Sequence, residues 1–190
     1  MQSIIKKIVW VSLALIPFLA LYVADGGTLD ILNWGTSGLY FPFISGKNIV
    51  FRALVEIAFA GWVLLAIRDA LYRPNLKKSP LTVAYAVFIV VILIADIFGV
   101  DHDKSIWSNY ERMEGFVGHI HFFAYFFVLT AMLPTLNDWK KMWKIFLAAD
   151  LLVLVYGYAQ LLGAKGYIFA AKFPAMAAWF SARFPKWKIE

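Results

Sequence analysis

The segment Ile49–Gly99, IVFRALVEIAFAGWVLLAIRDALYRPNLKKSPLTVAYAVFIVVILIADIFG, decides the fold class. Two apolar runs, about 49–70 and 81–99, flank a short basic connection. At roughly 1.5 Å per residue, a helix of that length crosses a hydrocarbon core of about 30 Å. The connection carries its own breakers. Pro74 and Pro80 lack an amide donor and push Arg73 and Ser79 out of the helical region. The segment therefore reads as two antiparallel spanning helices joined by a turn bearing Arg68, Arg73, Lys77 and Lys78.

The same pattern recurs on both sides, with further runs at about 8–24, 116–135 and 145–163. The expected fold is all-α, a polytopic integral membrane bundle of five transmembrane helices. Composition agrees: mean hydropathy is +0.71, and charged residues are 16% against about 25% in soluble domains. The start of the chain imitates a signal peptide. Its apolar run contains Pro17 and ends at Tyr22-Val23-Ala24 without a small-x-small site, so an uncleaved first span is expected. The tail, 164–190, is basic and aromatic and reads as an interfacial segment. A sixth span over about 166–182 is the alternative, but it would place Lys172 and Pro174 near its middle, where a lysine costs about 2.5–3.5 kcal/mol.

Charge asymmetry sets the expected orientation. Lys6, Lys7, Arg68, Arg73, Lys77, Lys78, Lys140, Lys141 and Lys144 fall on one side if the spans alternate. The opposite connections, 25–48 and 100–115, carry only Lys47, Lys104 and Arg112 among several carboxylates. A multi-pass protein with a cytoplasmic N-terminus follows. The net charge of +6 lies at span ends, which is no nucleic-acid footprint, and the absence of cysteine excludes disulfides and thiolate chemistry.

Between the third and fourth runs lies a polar island, Asp101–Gly115, DHDKSIWSNYERMEG. Ser108-Asn109-Tyr110-Glu111 fits a capping box, which predicts a fourth helix starting near Asn109. Arg112, Gly115 and His119 would then share one helical face, and the helix dipole would add attraction for an anion. A phosphate or diphosphate site is one reading. The other is a solvated helix start, with Glu111, Arg112 and Glu114 in water and His119 packed in the core.

Other polar residues divide in the same way. Arg52 and Glu56 are one turn apart, either an intrahelical pair or, since Arg before Glu is the weaker order, a site at which Arg52 faces another anion. Asp150 within the fifth run is a candidate intramembrane carboxylate, while Asp96 and Gln160 sit near span ends. His119 and His121 are two apart and point to different helical faces, so neither they nor Asp101-His102-Asp103 suggest a metal or haem site. No cofactor is expected.

Two motifs resemble O-antigen ligase-like proteins. Phe41-Pro42-Phe43-Ile44-Ser45-Gly46-Lys47 leads into Phe51-Arg52-x-x-Val55-Glu56. Ser105-x-Trp107-Ser108-x-Tyr110-Glu111-Arg112-Met113-Glu114-Gly115 is followed by His121-Phe122-x-Ala124-Tyr125. The resemblance covers roughly residues 8–163. It implies a polytopic glycosyltransferase of the O-antigen ligase or polymerase type, moving a glycan from a polyprenyl diphosphate carrier to an acceptor hydroxyl at the outer face of the bacterial inner membrane. It implies that Arg112 and Arg52 hold the diphosphate and that Trp107 and Tyr110 pack on sugar or prenyl, with Glu111, Glu114 and His119 in the same binding region. Members of the family are about twice as long and carry their catalytic loop in the second half. The expectation is therefore an N-terminal portion that is inactive alone and pairs with a second polytopic chain. The competing expectation is a non-enzymatic structural or assembly partner in the membrane.

Overall fold

The computed structural model describes residues 2–21, 42–74, 76–109 and 114–164. Every regular element among them is helical. The chain divides into two compact units, Met1–Ile145 and Phe146–Glu190. In order, α1 is Gln2–Leu15, α2 Pro42–Arg68, α3 Pro80–Ile97, α4 His102–Trp107, α5 Phe116–Met132 and α6 Leu136–Ala164. Among the described residues three helices are long and apolar enough to cross a membrane, Gln2–Leu21, Ser45–Arg68 and Pro80–Ile97, and Phe116–Met132 is a shorter apolar helix. The expected tail 164–190, apart from its first residue, and the loop 25–41 lie outside the described residues.

Local chemistry explains where these helices stop. Pro17 cannot donate to the carbonyl of Leu13, and the chain tightens there into the 3-10 turn Ile16–Leu21. Beyond α2, the Asp69 carboxylate accepts from the Leu71 amide at 2.9 Å. Arg73 Nε donates to the Ala66 carbonyl at 2.9 Å, and Trp62 Nε1 donates to the Tyr72 carbonyl at 3.0 Å. Pro80 occupies the first turn of α3, where its missing amide goes unnoticed.

Helix starts differ from the sequence expectation: α1 begins at Gln2 rather than near 8 and α2 at Pro42 rather than near 49, and two further differences have a local cause. Ser108 does not cap a helix that follows it. Its amide donates to the Lys104 carbonyl at 2.8 Å, and it ends α4 in a left-handed conformation with φ of 64°. The first part of the island forms a short helix of its own, His102–Trp107, begun by Asp101, whose carboxylate accepts from the Lys104 amide at 3.2 Å. α5 starts instead at Phe116, with Gly115 as its cap and the Gly115 carbonyl accepting from the amides of Gly118 and His119. Arg112, expected on the His119 face, lies outside the described residues. The second difference is α6, which begins at Leu136 rather than near 145. Thr135 caps it: its Oγ1 accepts from the Asp138 amide at 3.2 Å and donates to the Asp138 carboxylate at 2.6 Å. Lys140, Lys141 and Lys144 thus ride on the first turns of a helix rather than in a loop.

Within the first unit, α1 and α2 are antiparallel neighbours. Val9 and Leu13 are buried against the α2 face that includes Val55, Ala58 and Leu65. Gly61 makes the close approach possible, since a Cβ there would stand 2.6 Å from Val9 Cγ2. α5 lies beside α2 and α3, stitched by aromatic rings. Phe51 meets Phe122 at 4.8 Å and Trp62 meets Phe127 edge-on at 5.0 Å. On the other side, Tyr85 meets Phe123 edge-on at 5.2 Å. Edge and offset geometries suit the ring quadrupoles. Outward-facing positions stay apolar: Leu81, Val87, Val90, Val91 and Ile94 of α3 are all exposed. A helix that shows such side chains to its surroundings is built for an apolar solvent.

Candidate functional site

α2 carries polar side chains near its start, where it forms a hollow with α5. At the Asn48 end, Asn48, Phe51 and Arg52 of α2 face Gly118, His119 and Phe122 of α5, with Glu114 just ahead of α5. They enclose a cleft of about 320 Å³. Asn48 and Arg52 are one helical turn apart, which puts both on the same face. Phe51 is buried and Phe122 half-exposed, so one rim of the cleft is aromatic.

His119 is oriented by its own helix. Its Nδ1 donates to the Gly115 carbonyl at 3.1 Å, since a carbonyl can only accept. That leaves Nε2 as an acceptor in the neutral ring and a donor in the protonated one. Gly115 is itself fixed in place, because a Cβ there would meet the Ile106 carbonyl oxygen and stand 2.7 Å from the Ser108 amide nitrogen. The short helix α4 is thereby docked against the start of α5.

A second histidine ties the two helices together one turn deeper. His121 Nδ1 donates to the Val117 carbonyl at 2.6 Å, and its Nε2 lies 3.2 Å from Glu56 Oε1. With Nδ1–H committed, Nε2 donates to the Glu56 carboxylate in the protonated ring and can accept from a protonated Glu56 in the neutral one. The His121 side chain is 15% exposed and that of Glu56 69%. Glu56 also lies in the electrostatic field of Arg52. Arg52, Glu56 and His121 thus follow one another from the cleft along the α2–α5 seam.

Among the residues expected from sequence, Arg52, Glu114 and His119 come together in this cleft. Trp107 does not. It ends α4 with 59% of its surface exposed. Tyr110, Glu111 and Arg112 lie outside the described residues. Asp101, His102 and Asp103 are exposed at the start of α4, and Asp150 is exposed on α6. Among the described residues, no three His, Asp or Glu side chains gather as metal ligands.

Two participants were not singled out by sequence reasoning. Asn48 could have been found, because it precedes Arg52 by one turn. The Glu56–His121 pair could not, because 65 residues separate its members and no local pattern relates them. Comparison with protein-family models, curated proteins and solved structures returned no match.

Proposed function

We propose that this chain is a membrane protein of the O-antigen ligase-like kind, whose cleft holds the diphosphate end of a polyprenyl-linked glycan at the outer face of a bacterial inner membrane. The observation that carries the reading is the meeting of Arg52 and His119, from two separate helices, in one polar cleft with an aromatic rim. Residues of the two motifs that resemble that family meet along this seam. Phe51 of the first packs on Phe122 and Tyr125 of the second, and Glu56 of the first reaches His121 of the second.

The chemistry suits each part of such a ligand. A guanidinium binds phosphate oxygens through charge-assisted hydrogen bonds. His119 Nε2 adds a donor when protonated. Asn48 and Glu114 suit sugar hydroxyls, which both donate and accept. Prenyl units would run down the apolar exterior of the helices. In a transfer reaction these groups would hold the carrier and counter charge on the departing diphosphate, while the acceptor would be activated by residues of another chain. Thermal unfolding in detergent tests the proposal. An isoprenyl diphosphate should stabilise the protein and the parent isoprenyl alcohol should not, and Arg52→Ala should weaken the response roughly tenfold in ligand concentration. Equal stabilisation by diphosphate and alcohol would overturn it.

A further inference from the structure

The turn after α2 borders a second hollow, of about 340 Å³, that the proposed function does not use. Lys6 and Trp10 enter it from α1, Tyr72 from the turn after α2, Met132 from the end of α5, and Asp138 and Lys141 from α6. All lie within the first unit.

Its electrostatics are one-sided. The Lys6 ammonium stands 5.9 Å over the Tyr72 ring, an arrangement that places the charge beside the cavity without neutralising it. Lys141 has Asp138 at 4.0 Å, the outer limit of an ion pair. The Asp138 carboxylate is committed elsewhere, to the Thr135 hydroxyl at 2.6 Å that opens α6. Asp69, the other carboxylate at this end, caps the Leu71 amide. Both acids help to hold turns while keeping their charge, so in the hollow itself two ammonium groups face the one Asp138 carboxylate, and Lys7, Arg73, Lys77, Lys140 and Lys144 lie close in sequence to the lining residues.

The surroundings distinguish a lipid from a soluble anion. Leu71, which lines the hollow, is 72% exposed, and Ile4 and Leu136 nearby in sequence to Lys6 and Asp138 are 62% and 71% exposed. Half-buried Trp10 supplies the aromatic body favoured at headgroup depth. A cationic hollow rimmed by apolar side chains at the ends of spanning helices matches a phosphodiester attached to acyl chains. We propose that this hollow is a binding site for an anionic phospholipid headgroup, with Lys6 and Lys141 as its phosphate ligands.

The test uses the full chain in a non-ionic detergent, with bound lipid counted by native mass spectrometry and thermal unfolding followed in parallel. Phosphatidylglycerol should be retained and should raise the unfolding temperature; phosphatidylcholine and millimolar inorganic phosphate should do neither. The Lys6→Gln/Lys141→Gln variant should lose about fivefold or more in phosphatidylglycerol affinity per lysine, and Lys6→Arg/Lys141→Arg should keep it. The Lys77→Gln/Lys144→Gln variant removes the same charge outside the hollow and should bind as the parent does. Equal loss in the two Gln pairs would overturn the site in favour of general surface charge. An equal response to inorganic phosphate would overturn the lipid as its occupant.

Discussion

Gly61 offers the sharpest probe of how α1 and α2 are held together. An alanine Cβ at this position would lie 2.6 Å from Val9 Cγ2 and 3.7 Å from Ile5 Cγ2. Carbon atoms pack at about 3.5–4.0 Å, so the helices must part by roughly 1 Å or Val9 must move. Val9 has no room to do so, being fully buried and confined by its β-branch to essentially one rotamer on a helix. Overpacking of this kind costs about 1–3 kcal/mol, partly offset by the ~1 kcal/mol that alanine gains over glycine in a helix. Val9→Ala removes the opposing methyl and alone leaves a small cavity. The two changes should therefore rescue one another: in denaturant unfolding from detergent micelles, Val9→Ala/Gly61→Ala should be more stable than the sum of the singles by about 1–3 kcal/mol. Additivity within about 0.5 kcal/mol would refute the close contact, since that is the behaviour of independent positions.

Three further outcomes follow from individual contacts. Gly115→Ala places a methyl against the backbone of Ile106 and Ser108, which cannot swing aside; hydrogen exchange of the 102–108 amides should accelerate, and unchanged protection would show that α4 is not docked there. The Tyr125 hydroxyl is buried and unpaired among the described residues, so Tyr125→Phe should leave stability unchanged or raise it by about 1 kcal/mol, whereas a comparable loss in thermal unfolding would mean that the phenol has a partner. A double-mutant cycle of Glu56→Gln and His121→Phe should show a coupling of only about 0.5–1 kcal/mol, because the Glu56 side chain is largely exposed; no coupling at all would dissolve the pair.

Much of the helical framework was legible because apolar run length and helix rise are rigidly related. The breaks at Pro74 and Pro80 fell where proline chemistry requires them. Helix starts were harder to read. Ser108 and Glu111 have the residue types of a capping box, but Asp101 initiates a competing helix just upstream, and Ser108 then closes that helix. Conversely, Thr135 and Asp138 form a side-chain cap at the start of α6 that the apolar pattern hid, since Lys140, Lys141 and Lys144 read as a loop. Arg52 and His119 were each visible as polar residues in apolar runs. Their meeting was not, because it depends on how α2 and α5 pack. The same is true of Lys6, Tyr72 and Lys141, which come from three distant segments.

The central claim, that the cleft between α2 and α5 receives the diphosphate of a polyprenyl carrier, is tested most directly by photo-crosslinking. A diazirine on the isoprene unit nearest the diphosphate would be activated in the purified protein and the labelled peptides mapped. Labelling should concentrate in residues 45–52 and 118–122 and fall with excess unlabelled diphosphate and with Arg52→Ala. Labelling confined to the Lys6–Tyr72 end, or unaffected by Arg52→Ala, would contradict it.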